Sequence, residues 1–288
     1  MDFDDRRISS NVQGGGGGGG FGGGGGGFGL LLGLVGSRFG IGGVVVLVVG
    51  AMLFGFNPFG GGSVAPRQAA RSSESAAEVC ARSAVTRFSC QVLASTEDQW
   101  ARMFAAAGQS YRPATLVVYN NSDRSGCGAA QAAMGPFYCP TDQSIYIDPS
   151  FFAELEQRFG AAGDFAQAYV IAHEVGHHIQ NLTGTLEQAR AAQSRLGEAE
   201  ANAVQVQVEL QADCYAGVWA AAERSALEPG DIEEGMRAAE AIGDDTLQRA
   251  GQGYVVPESF THGSAAQRQA ALQRGLQTGD PAACNFSA

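Results

Sequence analysis

The sequence predicts an α+β fold, mostly helical with one small sheet, and three observations carry that prediction. TLVVYN at residues 115–120 and SIYIDP at residues 144–149 alternate and hold β-branched or aromatic residues, so each reads as a strand. Beyond Pro149 the chain is almost all helical in character, with Pro confined to the joints between segments. The leading fifth is different in kind, being glycine-rich and then continuously apolar. Strands gathered ahead of a run of helices, rather than alternating with them, define α+β.

In chain order, residues 1–38 read as a disordered Gly-rich arm. From Gly14 to Gly29 only Phe21 and Phe28 interrupt the glycines, and such a tract buries too little apolar surface to offset its backbone entropy. Residues 39–59 read as a transmembrane anchor. FGIGGVVVLVVGAMLFGF carries no charge over residues 39–56, at the short end of the roughly 17–25 residues that cross a bilayer, and Asn57-Pro58 closes it. A cleaved leader ending at Ser63-Val64-Ala65 is the alternative, but the long stretch ahead of the apolar run favours an uncleaved anchor. Arg6, Arg7 and Arg38 precede the run and Arg67 follows it at a greater distance, which places the N-terminus in the cytoplasm and the rest outside. Residues 60–74 are a linker, and residues 75–288 form the folded domain.

Within that domain, residues 72–108 suggest two helices broken near Ser95-Thr96. A loop with Gly and Cys joins the two strands. Helices then follow at residues 151–159, 164–182, 186–222, 231–242 and 265–276.

All six cysteines lie after the apolar run and none forms a CxxC pair, so disulfides in an oxidising compartment suit them better than a second metal site. Nearest-neighbour pairing gives Cys80–Cys90, Cys127–Cys139 and Cys214–Cys284; buried free thiols are the alternative. Residues 1–59 balance three arginines against three aspartates, so the net charge of -11 belongs to the remainder. An acidic domain of this kind argues against nucleic acid as a partner.

AHEVGHH, residues 172–178, contains three of the four histidines. On a helix His173 and His177 are one turn apart on one face and can share a metal. Ile171, Val175, Ile179 and Leu182 fall on the opposite face, an apolar back for packing. Glu174 lies about 100° around the helix, badly placed as a third ligand but well placed to take a proton from a metal-activated water. His178 points about 100° away from His177 and reads as a residue beside the site or on the surface.

The third ligand is not a histidine six residues on, because Gln180 and Thr183 occupy the places that pattern requires. Glu209 and Asp213 in VELQADCYAG are four apart on a later helix. Two histidines with one glutamate is a known catalytic zinc set, and Asp213 could then receive an imidazole N–H. The pair taken alone also suits a solvated acidic face, although Leu210, Ala212, Ala216 and Trp219 disfavour full exposure.

HEVGH, then ELQAD, then SFTHGSAAQRQAAL near the C-terminus resembles the neutral zinc metallopeptidases of bacteria, and HExxH with a downstream ExxxD resembles gluzincins more broadly. The resemblance covers the apolar segment and nearly all of residues 75–288. It implies a zincin-like metallopeptidase domain with one Zn2+ held by His173, His177 and Glu209, Glu174 as general base, and Asp213 bonded to His173. It further implies that His262 stabilises the oxyanion, with Arg268 as a helper and Tyr254 and Tyr215 as rivals. The expected activity is hydrolysis of peptide bonds in peptide or protein substrates held in extended form along residues 115–120 or 144–148. The expected location is the bacterial inner membrane, with the catalytic domain periplasmic or extracellular. A metal-bearing membrane scaffold with little hydrolysis is the other class, although such a protein has no use for Glu174.

Overall fold

A computed structural model describes residues 1–16 and 74–285. The predicted anchor at residues 39–59 and the linker ahead of residue 74 lie outside the described residues, as do residues 17–38 of the arm. No helix among the described residues is long and apolar enough to cross a membrane.

The described chain is mostly helical with a small sheet. The elements are β1 (Val12–Gly14), α1 (Ala76–Cys80), α2 (Ala84–Ala106), β2 (Thr115–Val118), β3 (Ser122–Ser125), β4 (Gly128–Gln131), β5 (Phe137–Cys139), β6 (Ser144–Ile147), α3 (Ser150–Phe159), α4 (Asp164–Leu182), α5 (Thr185–Gln193), α6 (Glu198–Ala222), α7 (Asp231–Ala241), α8 (Asp244–Gln252) and α9 (Ala265–Thr278). The main sheet has the order β1-β2-β6-β5. β1, β2 and β6 run parallel, with Val12 opposite Leu116 and Leu116 opposite Ile145, while β5 is antiparallel to β6. β3 and β4 form a separate hairpin.

Two expectations about the sheet need correction. The segments read as free edges, residues 115–120 and 144–148, are its central strands. Their continuous burial, complete along β6, is what a central parallel strand covered on both faces requires. Among the described residues the edges are β1 and β5.

The second correction concerns the arm. Residues 1–16 are not disordered: β1 joins the main sheet, and Met1, Phe3 and Val12 are buried. Phe3 packs against Phe88 and Trp219 at ring-centroid distances of 5.8 and 6.4 Å. The glycine tract hid this, because Phe3, Ile8 and Val12 are too few and too irregular to form a periodic pattern. Their partners lie more than 60 residues away in sequence.

Helix boundaries also shifted for local reasons. α2 runs through Ser95 and Thr96 without a break, because Ser95 Oγ donates to Glu223 and accepts from Trp219 Nε1, while Thr96 Oγ1 donates to the Leu93 carbonyl. The break falls earlier, where Ser83 caps α2 by accepting from Thr86 N–H at 3.1 Å. The single helix expected over residues 186–222 divides at Gly197, whose N–H donates to Glu200.

α4 and α6 form the centre of the domain. Phe165 of α4 stacks on Trp219 of α6, and α9 packs along α6. Three disulfides are present, Cys80–Cys90, Cys127–Cys139 and Cys214–Cys284, and no cysteine is free. The first joins α1 to α2, the second ties the β3–β4 hairpin to β5, and the third fastens the C-terminal segment to α6.

Candidate metal centre

His173, Glu174 and His177 lie on α4, and Glu209 and Asp213 on α6. The two helices meet at Gly176: a Cβ there would stand 2.9 Å from both the Ala212 Cα and its carbonyl oxygen. This close approach aligns the two short motifs. α9 is brought in the same way, since a Cβ on Gly275 would stand 2.0 Å from the Cys214 carbonyl oxygen.

Three potential ligand atoms converge from these helices. Glu209 Oε2 is 3.2 Å from His173 Nε2 and 3.4 Å from His177 Nε2. A tetrahedral zinc with bonds of about 2.0–2.1 Å separates its ligand atoms by about 3.3–3.4 Å. The spacing therefore fits a shared metal, and the donor set of two imidazoles and a carboxylate is one that zinc takes.

The other imidazole nitrogens orient the rings. His173 Nδ1–H donates to Asp213 Oδ1 at 2.7 Å and His177 Nδ1–H donates to Gln180 Oε1 at 2.9 Å, which leaves both Nε2 atoms turned to Glu209. Gln180 is itself held, donating to the Val208 carbonyl and to Gln211 Oε1. Gln205 donates to Glu209 Oε1, leaving Oε2 for the convergence point.

Asp213 is fully buried and fully satisfied. It accepts from His173, from Tyr169 O–H at 2.6 Å and from Arg268 through both Nε and a terminal nitrogen at 2.9 Å. Burial would raise its pKa, but the Arg268 guanidinium and His173 outweigh burial and hold it at about 2. Arg268 also donates to the Ile242 carbonyl and to Tyr169 Oη, and it lines the cavity. Burial likewise opposes the charge on Glu209, yet His177 and His173 keep it well below the usual carboxylate range. Glu174 is the exception. Burial pushes its carboxyl up, against the pull of His173 and His177.

His262 lines the same cavity as His173, Glu174, His177 and Glu209. Its Nδ1 faces Asp244 Oδ1 at 3.3 Å, and Asp244 Oδ2 accepts the N–H groups of Thr261, His262 and Gly263. Burial favours the neutral ring, but Asp244 outweighs it and raises the His262 pKa. Tyr254 is exposed, and Tyr215 packs against Trp100 with its ring centroid 5.3 Å away; neither lines the cavity.

His178 is neither at the surface nor beside the metal position. It is wholly buried, donating from Nε2 to the Arg112 carbonyl at 2.6 Å and accepting at Nδ1 from Tyr138 O–H at 3.0 Å. Burial lowers its pKa, consistent with a neutral ring in this role. It pins α4 to β5. The cavity, of about 410 Å³, continues from the polar cluster to an apolar wall including Met134, Phe137, Phe151, Leu155 and Phe159.

Tyr169, Gln180, Gln205 and Asp244 escaped the sequence reading. The first three carried a signal, standing four residues before His173, three after His177 and four before Glu209 on the same helices. Asp244 had none, because its contact with residues 261–263 bridges two separate elements.

With this geometry in place, the comparison with known sequences decides the family. The family described as "Putative neutral zinc metallopeptidase" matches residues 1–286. The chain belongs to that family. It is similar to "Uncharacterized protein YpfJ" of Escherichia coli K12, with 46% identity over 253 residues, 85% of this chain and 86% of that one. It is also similar to "Uncharacterized protein Rv2575" of Mycobacterium tuberculosis H37Rv, with 46% identity over 187 residues, 60% of this chain and 62% of that one. No matching solved structure was found. In this neutral zinc metallopeptidase family member the three-atom convergence is where zinc fits.

Proposed function

We propose that the protein is a zinc-dependent peptidase that hydrolyses peptide bonds, with one Zn2+ held by His173, His177 and Glu209. The observation that carries this reading is the position of Glu174: a buried carboxyl with a raised pKa beside a three-atom metal position, in a cavity wide enough for a peptide side chain. Zinc bound there supplies Lewis acidity, which lowers the pKa of a coordinated water and polarises a carbonyl.

The protein's own groups perform the remaining work. Glu174 takes the proton of the attacking water and returns it to the leaving amine. His262, held by Asp244 through Nδ1, donates to the oxyanion. Asp213 and Gln180 hold the two imidazoles in the tautomer that binds metal, and Arg268 holds Asp213.

The substrate in extended form adds to the free edge of β5, next to Phe137 and Tyr138 on the cavity wall. Three disulfides support an oxidising compartment, the periplasmic or extracellular side of the bacterial inner membrane, with residues 39–59 as the membrane contact. The acidic charge speaks against nucleic acid.

Glu174→Gln tests the reading. Cleavage of a peptide library by the purified protein is expected to fall by about 100-fold or more, while zinc content by elemental analysis stays at one per chain. Retention of zinc with no change in a residual activity would point instead to a metal-bearing scaffold. Protein that never takes up zinc overturns the proposal.

A further inference from the structure

We infer that residues 1–16 are an integral part of the folded domain and stand on the same side of any membrane as residues 74–285, so a single crossing by residues 39–56 is incompatible with the native fold. The chain between residues 16 and 74 begins and ends on one body. A strand cannot hydrogen-bond to a sheet across a hydrocarbon core of about 30 Å.

The contacts along the segment are continuous. Ser9 N–H donates to the Cys90 carbonyl at 3.1 Å, Leu116 N–H to the Asn11 carbonyl at 2.8 Å and Gly15 N–H to the Val118 carbonyl at 2.9 Å. Gln91 Nε2 donates to the Phe3 carbonyl at 2.7 Å.

The domain is built to receive this segment. Glu97 and Glu223 are buried at 7% and 4% exposure, and their charges are met from residues 1–16. Glu97 accepts from Ser9 Oγ, Asn11 Nδ2 and Arg7 at 2.6, 2.8 and 3.0 Å, and Glu223 from Arg6 at 2.7 Å. With the segment on the other side of a membrane, Glu97 would lose all three of these partners and Glu223 its ion pair with Arg6. A buried carboxylate stripped of its partners is strongly destabilising.

The same contacts change the meaning of the orientation signal. Arg6 and Arg7 are two of the three cations that place the N-terminus in the cytoplasm when the sequence is read alone. In the folded protein they are ion-paired, Arg6 to Glu223 and Arg7 to Glu97 and Asp98. Disulfides place the domain in an oxidising compartment, and residues 1–16 go with it.

Two measurements on the full chain test the inference. Asp5→Cys and Glu198→Cys, both at exposed positions, are labelled separately in bacterial cells with a membrane-impermeant maleimide, before and after the inner membrane is opened. Labelling of both at the same stage is expected; labelling of one only after lysis overturns the inference. Hydrogen exchange of the unmodified protein in detergent gives the second test. The Ser9 and Gly15 amides should exchange about 100-fold or more slowly than in an unstructured chain, and exchange at the unstructured rate overturns it. Neither readout involves metal or hydrolysis, so a failure here leaves the proposed function standing.

Discussion

Gly176 of the first motif lies against Ala212 of the second so closely that an added Cβ would stand 2.9 Å from the Ala212 carbonyl oxygen. HEVGH and ELQAD are thus joined by backbone contact as well as by their convergence on one point. Because neither contacting atom is the end of a flexible side chain, the helices themselves must move to admit a methyl group.

Gly176→Ala is accordingly expected to weaken zinc binding even though no ligand changes. Helix propensity favours alanine by about 1 kcal/mol, but overpacking between two backbones costs about 1–3 kcal/mol and more where nothing can yield. A lowered thermal midpoint with reduced zinc retention on dialysis is the expected pair of results. Unchanged zinc affinity would show that the helix separation is not limiting.

Asp213→Asn removes the charge that Arg268, Tyr169 and His173 share. Zinc affinity, measured by competition with a chelator, should fall about 10- to 100-fold, as for other groups that orient a ligating histidine. Burying Arg268 without its partner should also destabilise the domain, by about 3–5 kcal/mol. Replacing Asp213 and Arg268 together by apolar residues should recover much of the stability but not the zinc affinity, separating the two roles.

Asp244 connects the loop of residues 261–263 to acid stability. Burial raises its pKa, but the His262 ring and the backbone N–H groups of residues 261–263 outweigh burial and lower it. The folded state then binds a proton less readily than the unfolded one. Its stabilising contribution is complete above the ordinary aspartate value of about 3.9 and is lost as pH falls below that through the lower folded value. Asp244→Asn should reduce the thermal midpoint at neutral pH and flatten its decline in that acid window. A wild-type slope in the variant would refute the assignment.

Cys214–Cys284 closes a loop of 70 residues that includes α7, α8, His262 and Arg268. Chain entropy assigns such a crosslink about 4 kcal/mol. Cys214→Ala with Cys284→Ala should therefore lower stability to chemical denaturant by an amount of that order. Disulfides closing shorter loops, such as Cys80–Cys90 with a separation of 10, should matter less.

Much of the metal centre was legible in the sequence because its parts are local. Spacings of four within one helix put His173 with His177 and Glu209 with Asp213 on common faces, and that geometry is a property of any α-helix. The pairing of cysteines close in sequence was accessible for a similar reason, as was the acidic charge. Contacts between elements were not. That Arg268 holds Asp213, that His178 is a buried pin, and that β5 is an edge strand all depend on how helices and strands are stacked. The docking of residues 1–16 is the clearest case. Their hydrogen bonds and ion pairs reach Cys90, Glu97, Leu116 and Glu223, and only the packed tertiary structure brings such distant partners together.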